Sequence, residues 1–167
     1  MITKGYIDST LRALDAAYTT APTPDDAQRY AKLAIIELCG WIEESMDGVI
    51  LRCSKRHLKH QPNQTYCESK IIRKTYGFEY DAHFRFMLIR LVGLINVEKL
   101  EQEVNHAKYI QMTAALSFLK TLRDVEAHTH LKGTTRTLAA PSVIIGKFQP
   151  VYDGLMEFDQ AMRRAKW

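Results

Sequence analysis

Apolar residues return at three- and four-residue intervals along most of this chain, and those intervals set out a series of helices. Ile7, Leu11, Leu14 and Tyr18 make the first amphipathic stripe. It stops at Ala21-Pro22-Thr23-Pro24, where two prolines remove helical hydrogen-bond donors. Thr23 is placed to cap a second helix, with Pro24 at its first position and Asp25 and Asp26 in its first turn. That helix is expected to reach about Arg56. Ala34, Leu38, Trp41, Ser45 and Val49 form one stripe on it, with Ile35, Ile42 and Met46 alongside. Gly40 and Gly48 cost about 1 kcal/mol each against alanine, and predict a close helix contact or a bend.

Lys59 to Thr65 reads as a polar loop around Pro62 and Asn63. A short helix through Glu68 to Lys74 follows, ended by Tyr76-Gly77. Asp81 is a candidate cap for a helix carrying Phe84, Leu88, Leu91 and Ile95. The stretch from Asn96 to Asn105 is helical in composition, with room for a break. From about His106, the stripe Met112, Leu116, Leu119 and Leu122 leads into Arg123. Lys132-Gly133-Thr134-Thr135 has turn chemistry, and a last helix carries Phe148, Val151, Leu155, Phe158 and Met162. Alternation of period two is confined to Val143-Ile144-Ile145. The pattern predicts one all-α domain over residues 1–167, an up-and-down bundle of four to five main helices with short extras.

A chain of 167 residues is long enough to bury a real core, and its apolar and charged fractions are ordinary for a globular protein. No apolar run approaches the ~18 residues of a membrane span. Met1 to Tyr6 leads straight into the first amphipathic stripe, so no leader peptide is expected. Cys39, Cys53 and Cys67 are an odd set without a C-x-x-C pair, which fits reduced thiols in a cytoplasmic protein better than a disulfide or zinc framework.

The net charge of +4 is unevenly spread. Arg52, Lys55, Arg56, Lys59, Lys70, Arg73 and Lys74 meet only Glu68 in the same stretch, leaving it roughly +6. His57 and His60 lie among them. Such a patch suits a phosphate-bearing partner such as RNA, although a solvated helix end has the same composition.

The candidate chemistry lies at Arg123-Asp124-Val125-Glu126-Ala127-His128. An arginine clamps phosphate, a carboxylate orients, and a histidine moves protons near neutral pH. Spacing alone is weak evidence, since about 0.4 arginine–histidine pairs of this separation arise by chance, and Arg52–His57 is a second copy. Asp124 favours the later one, because four residues on a helix place it on one face with His128. Ala127 is small, and the motif ends an apolar helix ahead of a Gly/Thr loop. Arg123 and His128 are about 140° apart on a regular helix, so a working site needs a loosened helix end or a second subunit across a two-fold axis. Thr129 and His130 are placed to line the site or to end the helix. Asp124, His128 and His130 also count as three metal ligands, but no fourth ligand stands with them, and no metal or other cofactor is expected.

Arg123-Asp124-x3-His128, on the penultimate long helix of a small bundle with a loop and one more helix after it, resembles the HEPN superfamily, nearest its RiboL-PSP-like branch. The resemblance covers most of the chain in helix order, with about six residues of specific identity. It implies a metal-independent endoribonuclease acting as a homodimer, with a cognate antitoxin or a defence-system partner. In members controlled by AMP transfer a tyrosine follows the histidine by two residues. His130 stands there in this chain, so the resemblance does not carry that regulation. In the implied chemistry His128 takes the proton of an RNA 2′-hydroxyl or gives one to the leaving 5′-oxygen. Arg123 stabilises the charge growing on the phosphate.

Overall fold

A computed structural model describes residues 1–127 and 138–165. Seven α-helices occur among them, with no strand: α1 Gly5–Thr19, α2 Pro24–His57, α3 Gln61–Tyr66, α4 Phe86–Val92, α5 Leu94–Glu103, α6 His106–Ala127 and α7 Pro141–Arg164. Helices α1, α2, α6 and α7 pack on one another as an all-α bundle, and the shorter elements close one side of it. The core is the set of stripes seen in the sequence. Ile7 and Leu11 of α1, Leu38, Ile42 and Met46 of α2, Met112 and Leu119 of α6, and Val151, Leu155 and Phe158 of α7 are all buried. Trp41 is only partly buried; its ring meets the edge of Phe148 at 5.1 Å and its Nε1 donates to the Thr3 carbonyl at 2.9 Å.

Helix α2 starts as its sequence requires. Thr23 is extended, its hydroxyl accepts from the Asp26 amide at 3.1 Å, and Pro24 fills the first turn. Residues 61–66 are helical where a loop was expected. Pro62 sits in the first turn, where its missing N–H costs nothing, and the Gln64 side chain ties the segment to the Leu58 carbonyl at 2.8 Å. The chain then continues as a π-helical turn, Cys67–Ile71, and a 3-10 turn, Ile72–Lys74.

Two glycines redirect the middle of the chain. Gly77 has φ of 128°, and a Cβ there would fall 2.5 Å from the His83 ring. Asp81 does not cap the next segment. Glu79 precedes the π-helical turn Tyr80–Arg85, and its amide donates to His83 Nδ1 at 3.1 Å. Gly93, with φ of 82°, separates α4 from α5. The expected stripe therefore fails at its end. Phe84 and Leu88 are buried, but Ile95 is 73% exposed, and Val97 and Leu100 face the core in its place. Asn105 then starts α6, its side-chain oxygen accepting from the Lys108 amide at 3.1 Å.

Gly40 and Gly48 are not points of close helix approach; Gly40 faces open space and Gly48 lies under the Arg52 guanidinium. The tight contact is at Gly154 of α7, where a Cβ would come 2.5 Å from Met112 Cβ of α6. Alanine should gain about 1 kcal/mol of helix propensity at Gly154, but overpacking a buried contact costs about 1–3 kcal/mol. The clash involves a Cβ, which no rotamer can move. We therefore expect Gly154→Ala to lower the melting temperature by a few degrees. A melting temperature equal to or above wild type in thermal unfolding would contradict the close α6–α7 contact.

Candidate functional site

The last turns of α6 carry Arg123 and Asp124, and the guanidinium of Arg123 is gripped from several sides. Its Nη1 donates to Glu43 Oε1 of α2 at 2.8 Å, and its Nη2 to Asp124 Oδ1 at 3.2 Å. Its Cζ lies 4.9 Å from the centre of the buried Phe78 ring. Two carboxylates and an aromatic face thus fix a guanidinium that keeps 31% of its side-chain surface exposed. That is the state of a cation held in position yet reachable by a ligand.

Asp124 is shared. Lys120, one turn earlier on α6, donates to its Oδ2 at 2.6 Å, and this bond, with help from Arg123, lowers the Asp124 pKa. The same bond raises the pKa of Lys120. The expected role for Asp124 was to orient His128; the partners observed are Lys120 and Arg123. His128 lies outside the described residues, as do Thr129 and His130, and so does the expected divergence between Arg123 and His128.

On α2, Cys39, Glu43 and Asp47 follow one another at four-residue spacing, so one face of the helix presents them in a row. Burial pushes the Cys39 thiol up to about 12, with the Arg123 charge pulling the other way. It is a core thiol and not a nucleophile. Asp47 is half-buried, and its pKa is raised to about 6 by burial and then by the charges of Glu43 and Glu44. The carboxylate that meets Arg123 therefore has beside it a carboxyl able to exchange a proton near neutral pH.

Glu43, Lys120 and Phe78 were not anticipated. Lys120 had a signal, since lysine four residues before an aspartate on a helix is a standard pair. Glu43 and Phe78 had none, because their approach to Arg123 depends on how α2 and the 77–79 bend pack on α6.

The basic segment is dispersed over three elements, and not all of it is free. Arg52 turns inward, with its Nε donating to Asp159 Oδ1 of α7 at 3.1 Å, while Arg163 Nη2 reaches Asp159 Oδ2 at 2.6 Å. Arg52 is thus committed to the buried Asp159 carboxylate, with 31% of its side chain still exposed. Arg73 pairs with Glu68 at 2.8 Å on the exterior. Lys55 and Arg56 end α2, Lys59 follows with its Nζ on the Arg56 carbonyl at 3.3 Å, and Lys70 and Lys74 project from the turns that follow α3. All five are exposed. From Glu43 to Arg56 along α2 is ~20 Å at 1.5 Å per residue, so the α2 end of the patch stands apart from the Arg123 site, whereas Lys74 is four residues from Phe78, whose ring meets Arg123.

Compared with protein-family models, with curated proteins and with solved structures, the chain matches none. Function has to be argued from the site itself. Among the described residues no cluster of histidine, cysteine and carboxylate side chains is arranged to hold a metal ion, and two of the three residues weighed as ligands, His128 and His130, lie outside them. No described helix is long and apolar enough to cross a membrane. Cys39, Cys53 and Cys67 are buried free thiols.

Proposed function

We propose that this chain is a metal-independent endoribonuclease of the HEPN type, with a composite site built from Arg123, Asp124 and His128 of two copies in a homodimer. The observation that carries the proposal is the Arg123 guanidinium, fixed by Glu43 and Asp124 at the end of α6 and still partly exposed, five residues before a histidine. An arginine so held is suited to the growing charge of a phosphodiester in its transition state, because the cost of orienting it is met in folding. In the proposed reaction His128 draws the proton from the 2′-hydroxyl, whose oxygen attacks the adjacent phosphorus. The bond to the 5′-oxygen breaks, that oxygen receives a proton, and a 2′,3′-cyclic phosphate remains. This chemistry calls for no metal and no cofactor. A cytoplasmic protein of this kind belongs with a cognate antitoxin or a defence-system partner.

A second reading is a HEPN-like helical module that binds RNA, a nucleotide or a partner protein without cleaving. It is favoured by the two carboxylates on Arg123, which already balance its charge and must yield before a phosphate can take their place. One assay separates the two. Purified protein incubated with single-stranded RNA in excess EDTA should release fragments ending in 2′,3′-cyclic phosphate. Salt-dependent RNA binding with no cleavage would transfer the conclusion to the binding module.

A further inference from the structure

Cys67, Ile71 and Ile72 are buried and pin the turns between α3 and Gly77 against the bundle. The residues between and beside these anchors point outward: Tyr66 is 58% exposed, Tyr76 is 78% exposed, and Lys70 and Lys74 are exposed with them. Next to this segment, Arg90 of α4 donates to the Lys70 carbonyl at 3.3 Å and lies 4.8 Å over the ring of Phe86, itself 42% exposed. The result is a run of exposed aromatic and cationic side chains from Tyr66 to Tyr76, joined at Lys70 to Arg90 and Phe86 of α4. Between residues 52 and 76 the only acid is Glu68, and Arg73 neutralises it. Lys70, Lys74 and Arg90 have no carboxylate partner among the described residues.

We propose that Tyr66, Tyr76 and Phe86, with Lys70, Lys74 and Arg90, form a stacking platform for the unpaired bases of a single-stranded nucleic acid. The exposed Tyr66 and Tyr76 do not anchor the segment, since its buried contacts are made by Cys67, Ile71 and Ile72. Exposed aromatic rings and unpaired cations on one short segment match a strand whose bases stack while its phosphates are neutralised. A duplex keeps its base faces covered and can use only the cations. Short irregular turns also lack the continuous amphipathic face that holds a helix on a lipid surface. The platform names the substrate class of the proposed nuclease and rests on that reading for its biological use. It does not rest on cleavage, because binding is read on protein that lacks the proton-transfer group. Its Tyr76 end lies two residues from Phe78, whose ring meets Arg123.

The test is anisotropy of labelled single-stranded RNA, single-stranded DNA and duplex oligonucleotides on His128→Ala protein, which removes the proposed proton-transfer group. Tyr66→Ala and Tyr76→Ala should each weaken single-strand binding about 5- to 100-fold, and Tyr66→Phe should retain it. Lys70→Ala with Lys74→Ala should lower the salt slope by about 0.7 for each phosphate that these lysines neutralise. Unchanged affinity in both tyrosine variants, or equal loss on duplex and single strand, would overturn the platform. So would binding to phosphatidylserine-containing vesicles that RNA does not compete away. Wild-type protein that binds through these tyrosines but never cleaves would leave the platform standing and defeat the nuclease.

Discussion

Arg123→Ala protein is expected to cleave RNA about 10²- to 10³-fold more slowly than wild type at unchanged helicity, the loss typical of removing one preorganised donor to a developing anion. His128→Ala should fall by a comparable or larger factor, about 10²- to 10⁴-fold, because it removes the proton-transfer group. The fold should survive the arginine change. The pairs that Arg123 makes with Glu43 and Asp124 are each about a third exposed, a setting in which ion pairs contribute under about 1 kcal/mol. Glu43→Gln gives the sharper diagnosis. Glutamine still accepts from the guanidinium, but the charge that competes with phosphate is gone, so KM should fall. The looser hold on Arg123 should lower kcat at the same time. Steady-state kinetics in EDTA read all three variants. Wild-type kcat/KM in the Arg123→Ala protein would end its assignment to the reaction.

What the sequence could reveal was set by how local each feature is. The start of α2 was legible because Thr23, Pro24 and Asp26 act on each other within one turn. The stripes of α6 and α7 were legible because a core-facing helix repeats its burial every three or four residues. Pro62 misled, since a proline in the first turn of a helix and a proline in a loop look alike without the backbone. Ile95 misled because one glycine, Gly93, re-aims the following helix and shifts the buried face to Val97 and Leu100. At the site, the arginine at the end of an apolar helix was readable, and its partners were not. Glu43 is 80 positions from Arg123 and Asp159 is 107 from Arg52, and no spacing rule reaches that far. The two copies of the arginine–histidine spacing are distinguished in the fold by these distant carboxylates. Both arginine side chains keep 31% of their surface, but Glu43 is itself 39% exposed, whereas Asp159 is 3% exposed and needs Arg52 as a partner.

Arg52 should accordingly behave as a structural residue. Asp159 is 3% exposed, and its two oxygens are held by Arg163 of its own helix and by Arg52, which reaches across from α2. Either arginine alone still gives Asp159 a charged partner, and both arginines are about a third exposed, so Arg52→Ala or Arg163→Ala should cost about 1 kcal/mol. The double variant leaves a buried carboxylate without either partner, a state that costs about 3–5 kcal/mol. The two losses should therefore be more than additive, and a double-mutant cycle measures the excess. For a chain of this size, that corresponds to a melting temperature lower by roughly 10 °C or more in the double variant. Adding Asp159→Leu to it should recover much of the loss, because an apolar residue no longer needs the arginines. RNA affinity gives the independent readout. If Arg52→Ala weakens RNA binding at low salt without lowering the melting temperature, Arg52 belongs to the basic surface after all, and the buried cluster is not what holds α2 to α7.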